Sequence, residues 1–154
     1  MKKHLLILSV LFLFFQAAKA QTAVSVLQYY NTTTHKHFYT TSGTEITVGQ
    51  GGWTQQSDLG RLYNSNQTLV GPAVYRFYQG SSYAHYYSNN RNVFPDGFVY
   101  EGVMGYETTT PLASYGTRKA VYEFFNTSTG DYYYSTSSAA VTGYHLNGAT
   151  FHVF

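Results

Sequence analysis

The sequence has no cysteine, only three prolines among its 154 residues, and a charged fraction of 10%. Without cysteine there can be no disulfide framework, so the fold must depend on its own core. No segment after the N-terminal region approaches the roughly 20 consecutive apolar residues that a membrane-spanning helix needs. Helical periodicity is absent as well, which excludes a helical bundle.

Basic residues are also scarce. Removing Lys2, Lys3 and Lys19 with the N-terminal segment leaves six basic residues against seven acidic ones. The net charge of +2 for the whole chain then becomes −1. Nucleic-acid binding needs a clustered basic surface that neutralises phosphates, so we expect no nucleic-acid partner.

The N-terminus has the pattern of a secretory signal peptide. A basic head precedes the apolar run from Leu5 to Phe15, and Ala18 and Ala20 form a small-x-small cleavage pattern. The sequence predicts a signal peptide over residues 1–20 and a soluble mature domain over residues 21–154. We expect this domain to be extracellular or periplasmic, with no membrane association after cleavage.

The chain contains an internal triplication. Tyr30, Tyr78 and Phe125 are separated by 48 and then 47 residues. Phe38, Tyr86 and Tyr133 have the same two spacings. A fixed period of this kind identifies repeats, which we place at about 24–70, 71–116 and 117–154.

Each repeat predicts the same short strands. An alternating segment and a turn of small polar residues lead into a second strand, so each repeat opens with a hairpin. A Gly-aromatic pair then starts a third strand, and Gly102 and Gly148 suggest a bulge or a close backbone approach in it. The fourth strand is expected within Leu59 to Tyr63, Val103 to Tyr106 and Ala149 to Phe154.

Three such units predict an all-β domain. A β-propeller usually needs at least four blades, and an open solenoid needs capped ends. A β-trefoil of three pseudo-symmetric repeats of about 47 residues buries their faces together, and a β-sandwich is the alternative. Aromatic residues make up 19% of the chain, so the core should be aromatic, and we expect Trp53 to be mostly buried.

At these same blocks the chain resembles a Tyr-rich secreted repeat family with the pattern Y-R-F-Y-N, T-G-x-H-F-Y-T-T-S and G-W-x-Y-E-G-x-A-F. That family is a domain of unknown function, found alone or attached to secreted and cell-wall-associated enzymes. The resemblance implies an extracellular accessory or binding module, with no activity to transfer. Tyr132 replaces the histidine of the third repeat, Ser57 replaces a glycine, and Asn147 replaces the acidic residue. The Gln-x-Trp signature of ricin-type trefoils is absent.

The sequence offers little for catalysis. His35 and His37 could share one face of a strand, but no third metal ligand stands at a suitable distance along the chain. The carboxylates are spread singly over different repeats, and no Gly-x-Ser-x-Gly motif is present. We therefore expect no enzyme, no cofactor and no metal.

The second strand of each repeat carries the candidate binding residues. One of its two faces must lie inside the protein, and rings on both faces could simply be core. The functional hypothesis makes the tyrosine-bearing face a platform on which sugar rings stack, with polar neighbours that supply hydrogen bonds. The candidate carbohydrate-binding residues are Tyr39, Tyr87, Tyr134, His37, His85, Gln28 and Arg76.

Two functions remain open. The first is a secreted, lectin-type module that binds a cell-wall polysaccharide or another glycan. The second is a structural or protein-interaction domain that binds no glycan, because tyrosine-rich protein-binding surfaces look alike.

Signal peptidase should cleave between Ala20 and Gln21, because small residues precede the bond and the following segment is polar. The mass of the exported protein, measured by mass spectrometry, should correspond to residues 21–154. An exported form that retains Met1 to Ala20 would contradict the assignment.

Overall fold

The computed structural model describes residues 22–65, 70–109 and 116–154, and within these residues it is all-β, with ten strands and no helix. The all-β prediction is therefore confirmed, whereas the signal peptide lies outside the described residues. The strands are β1 Ala23–Asn31, β2 Lys36–Thr40, β3 Trp53–Gln55, β4 Gly60–Tyr63, β5 Val70–Gln79, β6 Ala84–Ser88, β7 Val99–Thr108, β8 Lys119–Asn126, β9 Asp131–Ser135 and β10 His145–Val153.

Three hairpins that share the same strand-pairing register form the framework of the fold. They are β1–β2, β5–β6 and β8–β9, and the pairs that close their turns are Asn31 with Lys36, Gln79 with Ala84, and Asn126 with Asp131. Each turn contains one residue in the left-handed region, at φ 56° for His35, 57° for Tyr83 and 67° for Gly130. The prediction that each repeat opens with a hairpin is confirmed.

The backbone conformation explains why each Gly-aromatic pair begins with glycine. Gly52, Gly97 and Gly143 have φ values of 85°, 80° and 82°, a region that side chains rarely tolerate. A Cβ atom on Gly97 would lie 2.7 Å from Nε2 of Gln79, whose side chain donates to the carbonyl of Asp96. Glycine is therefore required where the loop returns to its hairpin.

The third strand differs between repeats. In the first repeat β3 and β4 are separate, but β7 and β10 run continuously through the segments predicted as fourth strands. The prediction of a separate fourth strand is therefore wrong for the second and third repeats. Register shifts in the pairing of β7 with β5 and of β10 with β8 let one strand bend, and they occur beside Gly102 and Gly148 as predicted.

The strands form two sheets. One has seven strands, in the order β2-β1-β4-β7-β5-β6 with β3 paired to β1, and the other has the order β10-β8-β9. Phe154 and Arg61 exchange two backbone hydrogen bonds of 2.9 and 3.2 Å, which join the end of the third repeat to β4. The first and last repeats are thus in direct contact.

The second strands of the three hairpins contact one another at the centre. Tyr39, Tyr87 and Tyr134 are buried there, with exposures of 1%, 0% and 0%. Their rings meet edge to face, with centroids 5.3 to 5.4 Å apart. We call these three residues the tyrosine cluster.

Backbone groups and the carboxylate of Glu123, which accepts from Tyr134, satisfy the phenols of the tyrosine cluster. The hydroxyl of Tyr87 donates to the carbonyl of Tyr39 and accepts from its N–H, both at 2.8 Å. The hydroxyl of Tyr39 bonds the backbone of Tyr134 in the same way, and the hydroxyl of Tyr134 accepts from the N–H of Tyr87. Burial raises the pKa of all three phenols far above the ordinary value, so they remain protonated donors.

Replacing Phe77 with Ala should lower the free energy of unfolding by about 3 to 5 kcal/mol, the usual cost of deleting a buried ring. Phe77 lies on β5 and has no exposed surface. Denaturant titration of the two proteins measures this difference. A loss under about 1 kcal/mol would mean that this face of β5 is not core.

Candidate ligand-binding junctions

The tyrosine cluster cannot be the predicted stacking platform. Tyr39, Tyr87 and Tyr134 present no ring face to solvent, so their assignment as surface residues is wrong, and the alternative core assignment describes them. The pattern of β2 explains the error, because all five of its residues are buried and neither face is open.

Each polar candidate on a first strand pairs with a residue of its own repeat, and Arg76 also pairs with Glu45 of the first repeat. Gln28 donates to Gln56 at 2.7 Å, and Arg76 donates to Glu101 at 2.9 Å. Glu123 occupies the equivalent position of the third repeat and accepts from Asn147 at 2.8 Å. The structure therefore does not bring Gln28 and Arg76 together in one site.

Aromatic rings instead gather at three junctions, each between two repeats. Every junction combines a ring from a second strand and the Gly-aromatic ring of the same repeat with two rings from the following hairpin. The first junction contains Phe38, Trp53, Tyr78 and His85; the second contains Tyr86, Phe98, Phe125 and Tyr132; the third contains Tyr133, Tyr144, Tyr30 and His37.

Polar contacts among Asp131, His37 and Tyr144, which we call the clasp, hold the third junction together. The buried carboxylate of Asp131 accepts a 2.7 Å bond from the backbone N–H of His37, lies 2.6 Å from the Nδ1 atom of His37, and accepts a 2.6 Å bond from the hydroxyl of Tyr144. Lys36 donates across the same boundary to the carbonyl of Thr129. His37 is thus a structural link between the first and last repeats, and its backbone N–H and Nδ1 atom are already engaged.

The first junction is open and contains a cavity of about 290 Å³. Trp53, which the sequence predicts to be mostly buried, has intermediate burial and forms part of the cavity wall. The other lining residues are Asn31, Thr34, Tyr78, Tyr83, His85 and Glu101. The second junction has a smaller cavity of about 200 Å³, lined among others by Gln79, Asp96, Phe98 and Tyr132.

His85 is the one predicted site residue that lines the first-junction cavity. Its side chain is 14% exposed, and its ring lies against Tyr78 with centroids 4.8 Å apart. Burial, followed by the charge of Arg76, lowers the pKa of His85 to about 4, so the imidazole is neutral at neutral pH. Its Nδ1 atom is buried without a hydrogen-bond partner among the described residues, and its Nε2 atom is 3.5 Å from Glu101.

Arg76 does not line the first-junction cavity but contacts the residues around it. Its guanidinium bonds Glu101 through Nε and Glu45 through both terminal nitrogens at 3.0 Å, and it lies over the ring of Phe38. Two carboxylates thus neutralise one cation, and Arg76 positions Glu101 at the cavity.

Tyr83 is one of the cavity residues that the sequence did not indicate. It stands at the mouth of the cavity with 61% of its surface exposed, in the left-handed conformation that a bulky side chain rarely adopts. The third repeat has Gly130 at the equivalent turn position, and this correspondence was the available signal. Trp53, Tyr78 and Glu101 were also missed as site residues, because their roles depend on contacts between repeats.

Two kinds of site have no counterpart in the described part of the chain. No group of three or more histidine, aspartate or glutamate side chains is placed there to hold a metal ion. His35 and His37 have different partners, since His35 lies 3.0 Å from the hydroxyl of Tyr30. Over the same residues, no helix has the length and apolar character needed to cross a membrane.

Comparison with known families matches this aromatic all-β chain twice to one family, which is consistent with internal repeats. The family described as a domain of unknown function (DUF5648) matches residues 13–108 and, in an overlapping second match, residues 73–154. The first match covers more than half of the chain, so the protein belongs to this family. Among curated proteins and solved structures, none matches the chain.

Replacing Asp131 with Asn should lower the free energy of unfolding at pH 7 by about 2 to 3 kcal/mol, because charge-assisted bonds across the clasp are lost. Burial raises the pKa of this carboxyl, but the hydrogen bonds from His37 and Tyr144 outweigh burial and hold the pKa below 3.8. The stabilisation is therefore present above pH 3.8 and disappears as the pH falls through the folded-state pKa.

Denaturant titrations at pH 7 and at acidic pH should show the difference between the two proteins shrinking below pH 3.8. The exposed Asp96→Asn provides a matched control and should change little at either pH. A pH-independent difference for Asp131→Asn would remove the carboxylate as the source of the stabilisation.

Proposed function

We propose that the protein is a secreted, non-catalytic module that binds carbohydrate, with its principal site at the first junction. The cavity there combines exposed or half-buried rings with a carboxylate and a neutral imidazole. Sugar recognition requires such a combination, since ring faces pack against the apolar face of a pyranose and polar groups bond its hydroxyls. This proposal replaces the platform of Tyr39, Tyr87 and Tyr134 with a site between repeats.

The conformation of Tyr83 is the observation that carries the proposal. A left-handed bulky residue costs of order 1 kcal/mol or more, and such strain persists mainly where function requires it. The ring gives little burial in return, because it is 61% exposed. Glycine fits the same turn in the third repeat at φ 67°. A strained, exposed tyrosine at a cavity mouth is expected if its ring contacts a ligand.

Each wall of the cavity has a distinct role. Trp53 and Tyr83 would provide stacking surfaces at the mouth, and Tyr78 would complete the aromatic wall with His85. Glu101 would accept hydrogen bonds from sugar hydroxyls while Arg76 holds it in place. The neutral His85 adds no positive charge, so the chemistry suits a neutral sugar.

We also propose that the three hairpins and their returning strands form a β-trefoil. The equal registers of the hairpins, the central contacts of their second strands and the three equivalent aromatic junctions support threefold organisation. The signal-peptide pattern supports export. A secreted trefoil would place its binding junctions in contact with extracellular or cell-wall polysaccharide.

A second candidate function, binding to another protein, is favoured by one observation. Among the described residues, six of the eight exposed large apolar side chains lie between residues 83 and 103. They are Tyr83, Val93, Phe94, Val99, Tyr100 and Val103. Exposed apolar groups concentrated in this way are typical of interaction surfaces.

Replacing Tyr83 with Gly should reduce binding to polysaccharide while the fold becomes no less stable. Removing the ring deletes a stacking surface, whereas relief of the left-handed strain should stabilise the protein by up to about 1 kcal/mol. Retention of the mature protein on insoluble cellulose, chitin, xylan and mannan measures the first effect, and thermal unfolding measures the second.

The matched control is His35→Gly, which relieves the same backbone strain in the first hairpin. It should leave retention unchanged, because His35 is not in the lining of the first-junction cavity and contacts Tyr30 of the third junction. Failure of the unmodified protein to be retained on all four polymers would exclude binding to these polysaccharides and favour the protein-binding candidate. Equal retention of the Tyr83→Gly and unmodified proteins would remove Tyr83 from the site.

A further inference from the structure

A second cavity lies beside the first one at the same junction. Its volume is about 200 Å³, and its lining includes Thr40, Thr41, Ser42, Arg76, Gly102 and Val103. Hydroxyl groups are common in this lining, whereas the first cavity is mainly aromatic. The two cavities therefore offer different chemistry at one boundary between repeats.

The same two strands line both cavities. On β5, Tyr78 borders the first cavity and Arg76 the second; on β7, Glu101 borders the first and Val103 the second. Residues two apart in a regular strand, as Arg76 and Tyr78 are on β5, point to the same side and are separated by about 7 Å. The cavities are thus successive positions along one strand direction.

The ion pair of Arg76 with Glu101 connects the two cavities. The side chain of Arg76 is 19% exposed and that of Glu101 is 29% exposed, so the edge of the pair faces solvent. Both groups are planar and polar, and planar groups of this kind bond adjacent hydroxyls. The partly exposed ion pair therefore places polar groups between the two cavities.

Charge restricts what could lie across this connection. Glu45 and Glu101 both pair with Arg76, so two carboxylates face one guanidinium. An acidic sugar would compete with these carboxylates for the only cation of the pair and would meet repulsion from both. A neutral chain with many hydroxyls meets donors and acceptors without that cost.

We propose that the two cavities form one trough that binds a linear, neutral oligosaccharide of at least two sugar units, with one unit in each cavity. This inference rests on the proposed carbohydrate-binding function. It specifies the ligand as a segment of a chain, because a single terminal sugar would occupy only the aromatic cavity.

The test compares ligand length by calorimetry on the mature protein. The probes are the mono-, di- and trisaccharide of the polymer that retains the protein, such as glucose, cellobiose and cellotriose, or N-acetylglucosamine, chitobiose and chitotriose. The trisaccharide should bind about tenfold or more tightly than the monosaccharide, since the second cavity adds contacts. Equal affinities would overturn the trough while leaving carbohydrate binding intact.

The variant Val103→Arg places a long side chain over the second cavity, from a strand position that is 41% exposed. It should reduce trisaccharide affinity to the level of the monosaccharide and leave the monosaccharide affinity unchanged. Ala149→Arg makes the same charge change at the equivalent exposed position of the third repeat and should have no effect. A length dependence that survives in a folded Val103→Arg protein, judged by its melting temperature, would also overturn the proposal.

Discussion

The buried hydrogen bonds of the tyrosine cluster are the constraint on which the rest of the structure depends. Each phenol of Tyr39, Tyr87 and Tyr134 accepts a backbone N–H bond from the second strand of another repeat. An unpaired phenol or amide at this depth would cost a few kcal/mol, so the three strands must meet in one arrangement. These contacts set the positions of the hairpins and so place the junction residues opposite one another.

At equivalent positions of the three repeats, different side chains form the same kind of hydrogen-bonded pair. Gln28 with Gln56, Arg76 with Glu101, and Glu123 with Asn147 are each a donor and an acceptor across neighbouring strands. Each repeat keeps the hydrogen-bonded pair, but the charges of its two side chains differ from repeat to repeat. Because of this freedom the repeats can share one framework while, among the described residues, only the first junction combines open rings, a carboxylate and a neutral histidine.

The asymmetry between junctions separates structural from functional roles. The clasp formed by Asp131, His37 and Tyr144 joins the first repeat to the last and uses its polar atoms internally. At the first junction His85 is the equivalent of His37, and its buried Nδ1 atom has no hydrogen-bond partner among the described residues. Tyr83 nearby has a strained, left-handed backbone conformation. An unpartnered buried nitrogen and a strained, exposed ring therefore lie together at the first-junction cavity.

Sequence alone determined the triplication, the hairpins, the glycines and the bulges, since each depends on local backbone chemistry repeated along the chain. It also selected the second strands as important, but it gave them the wrong role. Tertiary structure decided which side of Tyr87 is inside and which rings meet at a junction, because a strand buried on both faces has no alternation to read. His85 contacts Phe38, 47 positions earlier in the chain, and no local pattern encodes a contact between repeats.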